Sequence, residues 1–131
     1  MKFMGILKAT NDSEAGVMPT AEAIEAGTKF NEELAADGIL LAAEGLWPSS
    51  SGARLTFGAT TAMVTDGPFA ETNELIGAYW IIKAASLEEA VERFKNAPVP
   101  AGGSIEIRRV FDVADFGDEF STEMKDRWAK I

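Results

Sequence analysis

The sequence lacks two residues on which much protein chemistry depends, because its 131 residues include no cysteine and no histidine. Without cysteine the chain has no disulfide, no thiolate nucleophile and no Cys-ligated zinc site. Without histidine it has no Ser-His-Asp triad, no His-ligated metal and no side chain whose unperturbed pKa lies near neutrality. Acid–base chemistry would therefore fall to a carboxylate with a raised pKa, a lysine with a lowered pKa, or tyrosine.

Positive charge and long apolar runs are also scarce. The 12 Lys and Arg residues face 21 Asp and Glu residues, for a net charge of -9, which argues against nucleic acid and an anionic membrane surface as partners. The longest apolar runs, 38–43 and 75–82, are far shorter than the roughly 20 residues that span a bilayer. Polar residues follow position 10, so we expect residues 2–9 to form the first strand of a cytoplasmic protein and not a signal peptide.

Strand and helix patterns alternate in the order strand, helix, strand, hairpin, strand, helix, strand. A polar loop is predicted at 11–19. One helix is predicted at 20–37 with Thr20 as its cap, and another from Ser86 to Pro98, where Ser86 and Glu89 form a capping box. The strands are predicted at 2–9, 39–47, 53–57, 61–65, 75–84 and 104–112. This order predicts an α+β fold, a ferredoxin-like split β-α-β sandwich with an extra β-hairpin.

The predicted domain covers residues 1–112, and residues 113–131 are predicted to form a C-terminal arm with a short helix. Both long helices should pack on one face of the sheet. The other face still carries apolar side chains, and no remaining element is long enough to cover it. We therefore expect a homodimer that pairs sheet against sheet through a two-fold interface, with a cleft between sheet and loops in each half.

Three carboxylates, those of Asp66, Glu71 and Glu74, surround a Gly-Pro turn between two strands. An Asp before Gly67 commonly accepts hydrogen bonds from backbone N–H groups of its own turn. The functional alternative is that Asp66 lines the mouth of the cleft as a base or ligand anchor. Together the three carboxylates could hold a divalent cation, but their spacing is not that of a known metal loop, so no metal site is predicted. The absence of GxxxxGK[ST] and of GxGxxG after a strand argues against a nucleotide cofactor, and we expect none.

Glu44 is the second candidate catalytic residue. It lies on a strand face whose other members are apolar, namely Leu40, Ala42 and Leu46. Burial there requires either an arginine partner, Arg54 or Arg108, or a raised pKa that would suit a general acid or base. The sequence leaves these alternatives open.

Four residues are candidates for substrate binding: Tyr79, Arg54, Glu71 and Trp47. Tyr79 and its neighbour Trp80 lie on opposite faces of one strand, so one should enter the cleft and the other the core or the dimer interface. Trp47, next to a proline, either walls the pocket or ends its strand.

The chain resembles the DGPF-domain proteins of the YCII-related group. The resemblance depends on Asp66-Gly67-Pro68-Phe69-Ala70-Glu71, supported by Ala43-Glu44-Gly45-Leu46, Gly77-Ala78-Tyr79 and Ile105-Glu106-Ile107-Arg108. It implies a dimeric α+β barrel. Catalysis proposed in that group uses a paired His and Asp, and this sequence has no His; Asn73 stands where the motif usually has Lys.

Three kinds of function remain open at this point. The first is an enzyme whose Glu44 and Asp66 move protons in an elimination, isomerisation or hydrolysis of a small organic molecule without a cofactor. The second is a ligand-binding or regulatory module without chemistry, in keeping with the family's genomic association with transcription regulators. The third is a structural or interaction protein in which the motif only shapes a turn.

Overall fold

The computed structural model describes residues 1–70, 74–119 and 121–131. Its strands are β1 (Lys2–Lys8), β2 (Leu40–Gly45), β3 (Ala53–Phe57), β4 (Ala62–Asp66), β5 (Ile76–Lys83) and β6 (Ile105–Arg109). Its α-helices are α1 (Asn11–Glu14), α2 (Ala21–Ala36), α3 (Leu87–Phe94) and α4 (Thr122–Ala129), with 3₁₀ turns at Ser49–Ser51 and Val113–Glu119.

Four strands form one sheet in the order β2-β5-β1-β6, and every neighbouring pair is antiparallel. Strands β3 and β4 form a separate two-stranded sheet inserted between β2 and β5. This is the ferredoxin-like α+β arrangement with an additional hairpin, so the fold class predicted from the sequence is confirmed.

The long helices begin at the predicted caps. The Thr20 hydroxyl accepts a hydrogen bond from the Ala23 N–H at 3.1 Å, and the Ser86 hydroxyl accepts one from the Glu89 N–H at 3.1 Å. The reciprocal half of the predicted capping box differs, because the Glu89 carboxylate accepts from the Ala85 N–H, one residue before Ser86.

The core lies between one sheet face and the helices α2 and α3. Trp80 is at its centre: its ring is edge-on to Phe30 at 5.9 Å and tilted against Phe94 at 5.7 Å between ring centroids. The indole Nε1–H donates to Asn31 Oδ1 at 2.8 Å, so the polar atom of this ring is satisfied. The buried apolar residues are Phe3, Phe30, Leu34, Trp80, Ile82, Ala84, Ala90 and Phe94.

The residues of β2 do not alternate regularly between the two faces of the sheet, because the strand contains an irregularity. Leu40 pairs with Ile82, but Ala42 pairs with Ile81, so Leu41 is the extra residue of a β-bulge. Leu40 therefore packs against the core on the helix-covered face, whereas Ala42 lies on the opposite face. The predicted grouping of Leu40 with Ala42 is wrong because one inserted residue reverses the alternation.

The face away from the helices, the open face, has no cover among the residues that the structure describes. Cross-strand rows place on it half-buried apolar residues with charged side chains at its edges. One row runs Glu44, Tyr79, Ile6 and Glu106, and the next runs Ala42, Ile81, Met4 and Arg108.

Two segments outside the sheet complete the chain. The predicted polar loop after β1 contains the short helix α1, which Thr10 and Ser13 hold by exchanging side-chain-to-backbone hydrogen bonds in a capping box. The segment after β6 contains the Val113–Glu119 turns and α4, and Arg109 Nη2 contacts Asp115 Oδ1 at 3.2 Å. None of the helices in the described ranges is both long and apolar enough to span a membrane.

Candidate functional site

The motif turn, residues 67–70, lies at one end of the main sheet. It follows β4, whose last residue is Asp66, and it contains a cis peptide bond between Gly67 and Pro68. The strand pairing brings the ends of β1 and β2 and the starts of β5 and β6 to this same end of the sheet. We call it the motif end.

A hydrogen-bond chain connects the motif turn to the two loops that follow β1 and β2. Ser49 Oγ accepts a hydrogen bond from the Phe69 N–H at 3.0 Å and donates to Glu14 Oε1. The Ser49 N–H donates to Glu14 Oε2 at 2.9 Å. Both carboxylate oxygens of Glu14 thus hold Ser49, and Ser49 holds the turn.

Gly67 is packed directly against the backbone of Ser49. A Cβ atom at position 67 would lie closer to the Ser49 carbonyl oxygen than real Cβ atoms come to any neighbour. The Gly67 N–H donates to the Gly52 carbonyl at 3.0 Å, and the Gly52 N–H donates to the Ser49 carbonyl at 2.9 Å. The glycine of the motif is therefore required for close approach of the two backbones.

Asp66 is exposed, and its carboxylate takes part in no hydrogen bond or ion pair within the described ranges. The Asx-turn hydrogen bond that the sequence predicts is thus not what holds this turn. The Ser49 hydroxyl and the Gly52 carbonyl supply the contacts instead. Asp66 is consequently presented to solvent from a fixed backbone position.

Two candidate binding residues lie near the turn in sequence or in space. The Arg54 guanidinium carbon lies 4.1 Å from the centroid of the Phe69 ring, within cation–π distance. Trp47 follows β2 and is 83% exposed, so in the single chain it walls no enclosed pocket.

Glu44 and Tyr79 are direct cross-strand partners on the open face. Glu44 is exposed, so the predicted burial is wrong for the isolated chain. The physical reason is that the pleat does direct it away from the helices, but no described element covers that face. Neither predicted arginine partner is its salt-bridge partner in the described structure, where Arg108 contacts Glu106 Oε2 at 3.3 Å. Tyr79 is half-buried, and its neighbour Trp80 occupies the core.

Glu71 and Glu74 are the two other acidic residues of the motif. Glu71, a predicted binding residue, falls outside the described residues, and Glu74 is exposed. Within the described ranges no group of three or more Asp and Glu side chains is arranged to hold a metal ion.

Two cavities in the described part of the chain contain no predicted site residue. One, of about 320 Å³, lies between α2 and α3 beside Asp37 and Arg93, whose carboxylate and guanidinium are 2.5 Å apart. The other, of about 490 Å³, lies beside Lys2, Lys83 and Arg109, at the end of the sheet opposite the motif.

Sequence reasoning missed Glu14 and Ser49. They are 35 residues apart, and the sequence pattern places each in a loop or turn. A local signal existed for the first, because Thr10 and Ser13 have the spacing of a capping box and predict the short helix that places Glu14. No local pattern predicts the contact between Glu14 and Ser49.

The chain is similar to known proteins in sequence and in structure. The chain is 40% identical over 65 residues to an uncharacterised protein of Rhizobium meliloti (strain 1021), a match that spans about half of each protein, 48% of this chain and 52% of the relative. A solved structure, the 5-chloro-2-hydroxyhydroquinone dehydrochlorinase of Burkholderia phenoliruptrix AC1100 in complex with 2,5-dihydroxybenzoquinone, aligns with a TM-score of 0.44 at 18% identity, covering 85% of this chain and 94% of that one. The model of the YCII-related domain matches residues 1–114, and the chain therefore belongs to the YCII-related family.

Proposed function

We propose that the protein is a homodimer that binds a small organic molecule at the motif end of the sheet, with Asp66 as the group that exchanges a proton with it. One observation carries this proposal. Asp66 presents an exposed carboxylate, without a partner in the described ranges, from a turn whose backbone is held by Ser49 and Gly52. Binding and catalytic groups need such a fixed support, because a small displacement of the reacting atom costs rate.

The open face supports the dimer. Its half-buried residues Met4, Ile6, Tyr79 and Ile81 form a continuous apolar area across the two neighbouring strands β1 and β5. A second copy can cover this area with the same area of its own, through a two-fold interface. Burial of apolar surface stabilises such an interface by roughly 25 cal/mol per Å² before the costs of association are subtracted.

Dimerisation would also give Glu44 the environment that its proposed role needs. Glu44 pairs with Tyr79 on the open face, near the end of β2 that leads to the motif end. A covering subunit would exclude water from both residues, and electrostatic contacts strengthen where water is excluded. We therefore keep Glu44 as the proposed second carboxylate, with Tyr79 as a binding residue beside it.

The remaining proposed contacts combine flat apolar surface with positive charge. The Arg54 guanidinium over the Phe69 ring and the exposed Trp47 indole suit a planar organic molecule that bears a negative or polar group. Glu71 follows directly in the motif and is proposed as a further contact on the sequence alone. A carboxylate base in this setting can serve elimination, isomerisation or hydrolysis without a cofactor.

The test compares Asp66→Asn with wild type by thermal shift and calorimetric titration against a library of small organic acids and phenols. Asn preserves the size of the side chain but removes its charge. Asp126→Asn on α4 is the matched control, since Asp126 is also an exposed carboxylate. We expect at least one compound to bind wild type and Asp126→Asn but not Asp66→Asn.

Turnover of that compound by wild type, lost in Asp66→Asn, would identify an enzyme. Binding without turnover would identify a ligand-binding module in which Asp66 is an anchor. Equal binding of every compound by wild type and Asp66→Asn would refute the proposed site.

A further inference from the structure

One hydroxyl group, that of Ser49, connects two loops that are far apart in the chain. It accepts the Phe69 N–H and donates its own proton to Glu14 Oε1, while the Ser49 N–H donates to Glu14 Oε2. Both oxygens of Glu14 are thereby committed to a single residue. We call this arrangement of Glu14, Ser49 and Phe69 the latch.

The carboxylate of Glu14 sets the direction of the serine hydroxyl. A hydroxyl has one proton and two lone pairs, and it rotates to suit its neighbours. An ionised carboxylate only accepts hydrogen bonds, so it captures the hydroxyl proton and leaves a lone pair for the Phe69 N–H. Hydrogen bonds to a charged group are also stronger than neutral ones. Glu14 therefore influences Phe69 without touching it.

Asp66 lies between two fixed points. On one side it pairs with Ala53 in the β3–β4 ladder. On the other it is followed by Gly67, whose N–H donates to Gly52 and whose backbone packs against Ser49. Farther along the turn, the latch holds Phe69 through the hydrogen bond from its N–H to Ser49 Oγ.

The latch also holds the β3–β4 hairpin against the main sheet. Every residue of both strands is exposed, so little side-chain burial holds the hairpin against the main sheet. A two-stranded hairpin alone is only marginally stable in water. The latch ties the turn that follows β4 to the loop that follows β1, and so to the main sheet.

We infer that Glu14 and Ser49 are positioning residues that fix Asp66 and the hairpin relative to the main sheet. The importance of Asp66 rests on the proposed function, whereas the latch itself is tested without any ligand. Residues that hold a site group in place from outside the site commonly matter as much as its direct contacts.

The experiment uses the full chain and NMR measurements of amide hydrogen exchange and 15N relaxation. In Ser49→Ala the Phe69 N–H loses its acceptor, and its exchange should accelerate about tenfold, the factor expected for one hydrogen bond. Glu14→Gln should accelerate it in the same direction by a smaller factor. The order parameter of the Asp66 N–H should fall from a rigid value of about 0.85 toward the flexible range.

Matched controls separate the latch from general weakening. Ser51→Ala removes a hydroxyl from the same turn, and Glu25→Gln removes an exposed carboxylate on α2; both should leave Phe69 and Asp66 unchanged. Ser49→Thr retains the hydroxyl and should restore most of the protection lost in Ser49→Ala. If Ser49→Ala does not fold, the comparison of Glu14→Gln with its control Glu25→Gln is sufficient for the test.

Unchanged exchange at Phe69 and an unchanged order parameter at Asp66 in both latch variants would overturn the inference. Because neither measurement uses a ligand, failure to find a compound that binds would count against the proposed function and not against the latch. Mobile Asp66 in the latch variants, with no compound bound by wild type, would establish the latch and reject the site.

Discussion

The two faces of the main sheet are built from the same strands, yet they differ in what covers them. On the covered face Phe3 and Ile82 are 2% and 0% exposed beneath α2 and α3. On the open face their chain neighbours Met4 and Ile81 are only half-buried, with no described element above them. Both faces are apolar, so the chain completes one layer of its core by itself, and we propose that a second copy covers the other face.

Of the changes considered, removal of the Trp80 ring should destabilise the covered face most. Trp80→Ala deletes the ring between Phe30 and Phe94 and should lower the free energy of unfolding by about 3–5 kcal/mol. Trp47→Ala is the matched control, since Trp47 is 83% exposed, and it should cost no more than about 0.5 kcal/mol. Urea denaturation of both variants measures the difference, and comparable losses would contradict the assignment of the core.

A smaller effect is expected where the sheet backbone approaches a helix side chain. A Cβ at Gly5 would lie 2.5 Å from Phe94 Cζ, so Gly5→Ala must displace that ring and should cost about 1–3 kcal/mol. At Gly27 in α2 a Cβ meets nothing within 4 Å, and Gly27→Ala should stabilise the protein by about 0.5–1 kcal/mol. Thermal unfolding of the two variants should therefore shift in opposite directions.

The sequence predictions are correct where the structure depends on local signals and wrong where it does not. The order of the six strands and two long helices, the caps of those helices and the hairpin are readable because they depend on local signals such as Thr20, Ser86 and period-two alternation. The bulge at Leu41 was not readable, since one inserted residue leaves the composition of the strand unchanged while it reverses the faces that follow.

The candidate site was predictable only in part, for a related reason. The motif turn around Asp66 is contiguous in the chain, so the sequence alone predicts which residues form it. The contact between Glu14 and Ser49 joins two segments 35 residues apart, so no local sequence pattern encodes it. The cover over Glu44 belongs to the proposed dimer, and the sequence of one chain indicates such an interface only through apolar residues that its own fold leaves uncovered.

The smallest effect within the covered face concerns a single hydrogen bond. Asn31→Ala removes the acceptor of the Trp80 Nε1–H, a bond of 2.8 Å, and should cost about 1 kcal/mol. Asn31→Asp retains an acceptor at this position and should lose less. Equal unfolding midpoints for wild type and Asn31→Ala would show that water replaces the amide, and that the indole is less enclosed than the structure indicates.

Sedimentation velocity of wild type and Ile81→Glu tests most directly the claim that a second copy covers the open face. The account predicts a species of twice the 14.0 kDa chain mass for wild type and a folded monomer for Ile81→Glu. Ile24→Glu, on the exposed side of α2, should remain a dimer. A monomeric wild type throughout the micromolar range, or a dimer that Ile81→Glu leaves intact, would contradict the account.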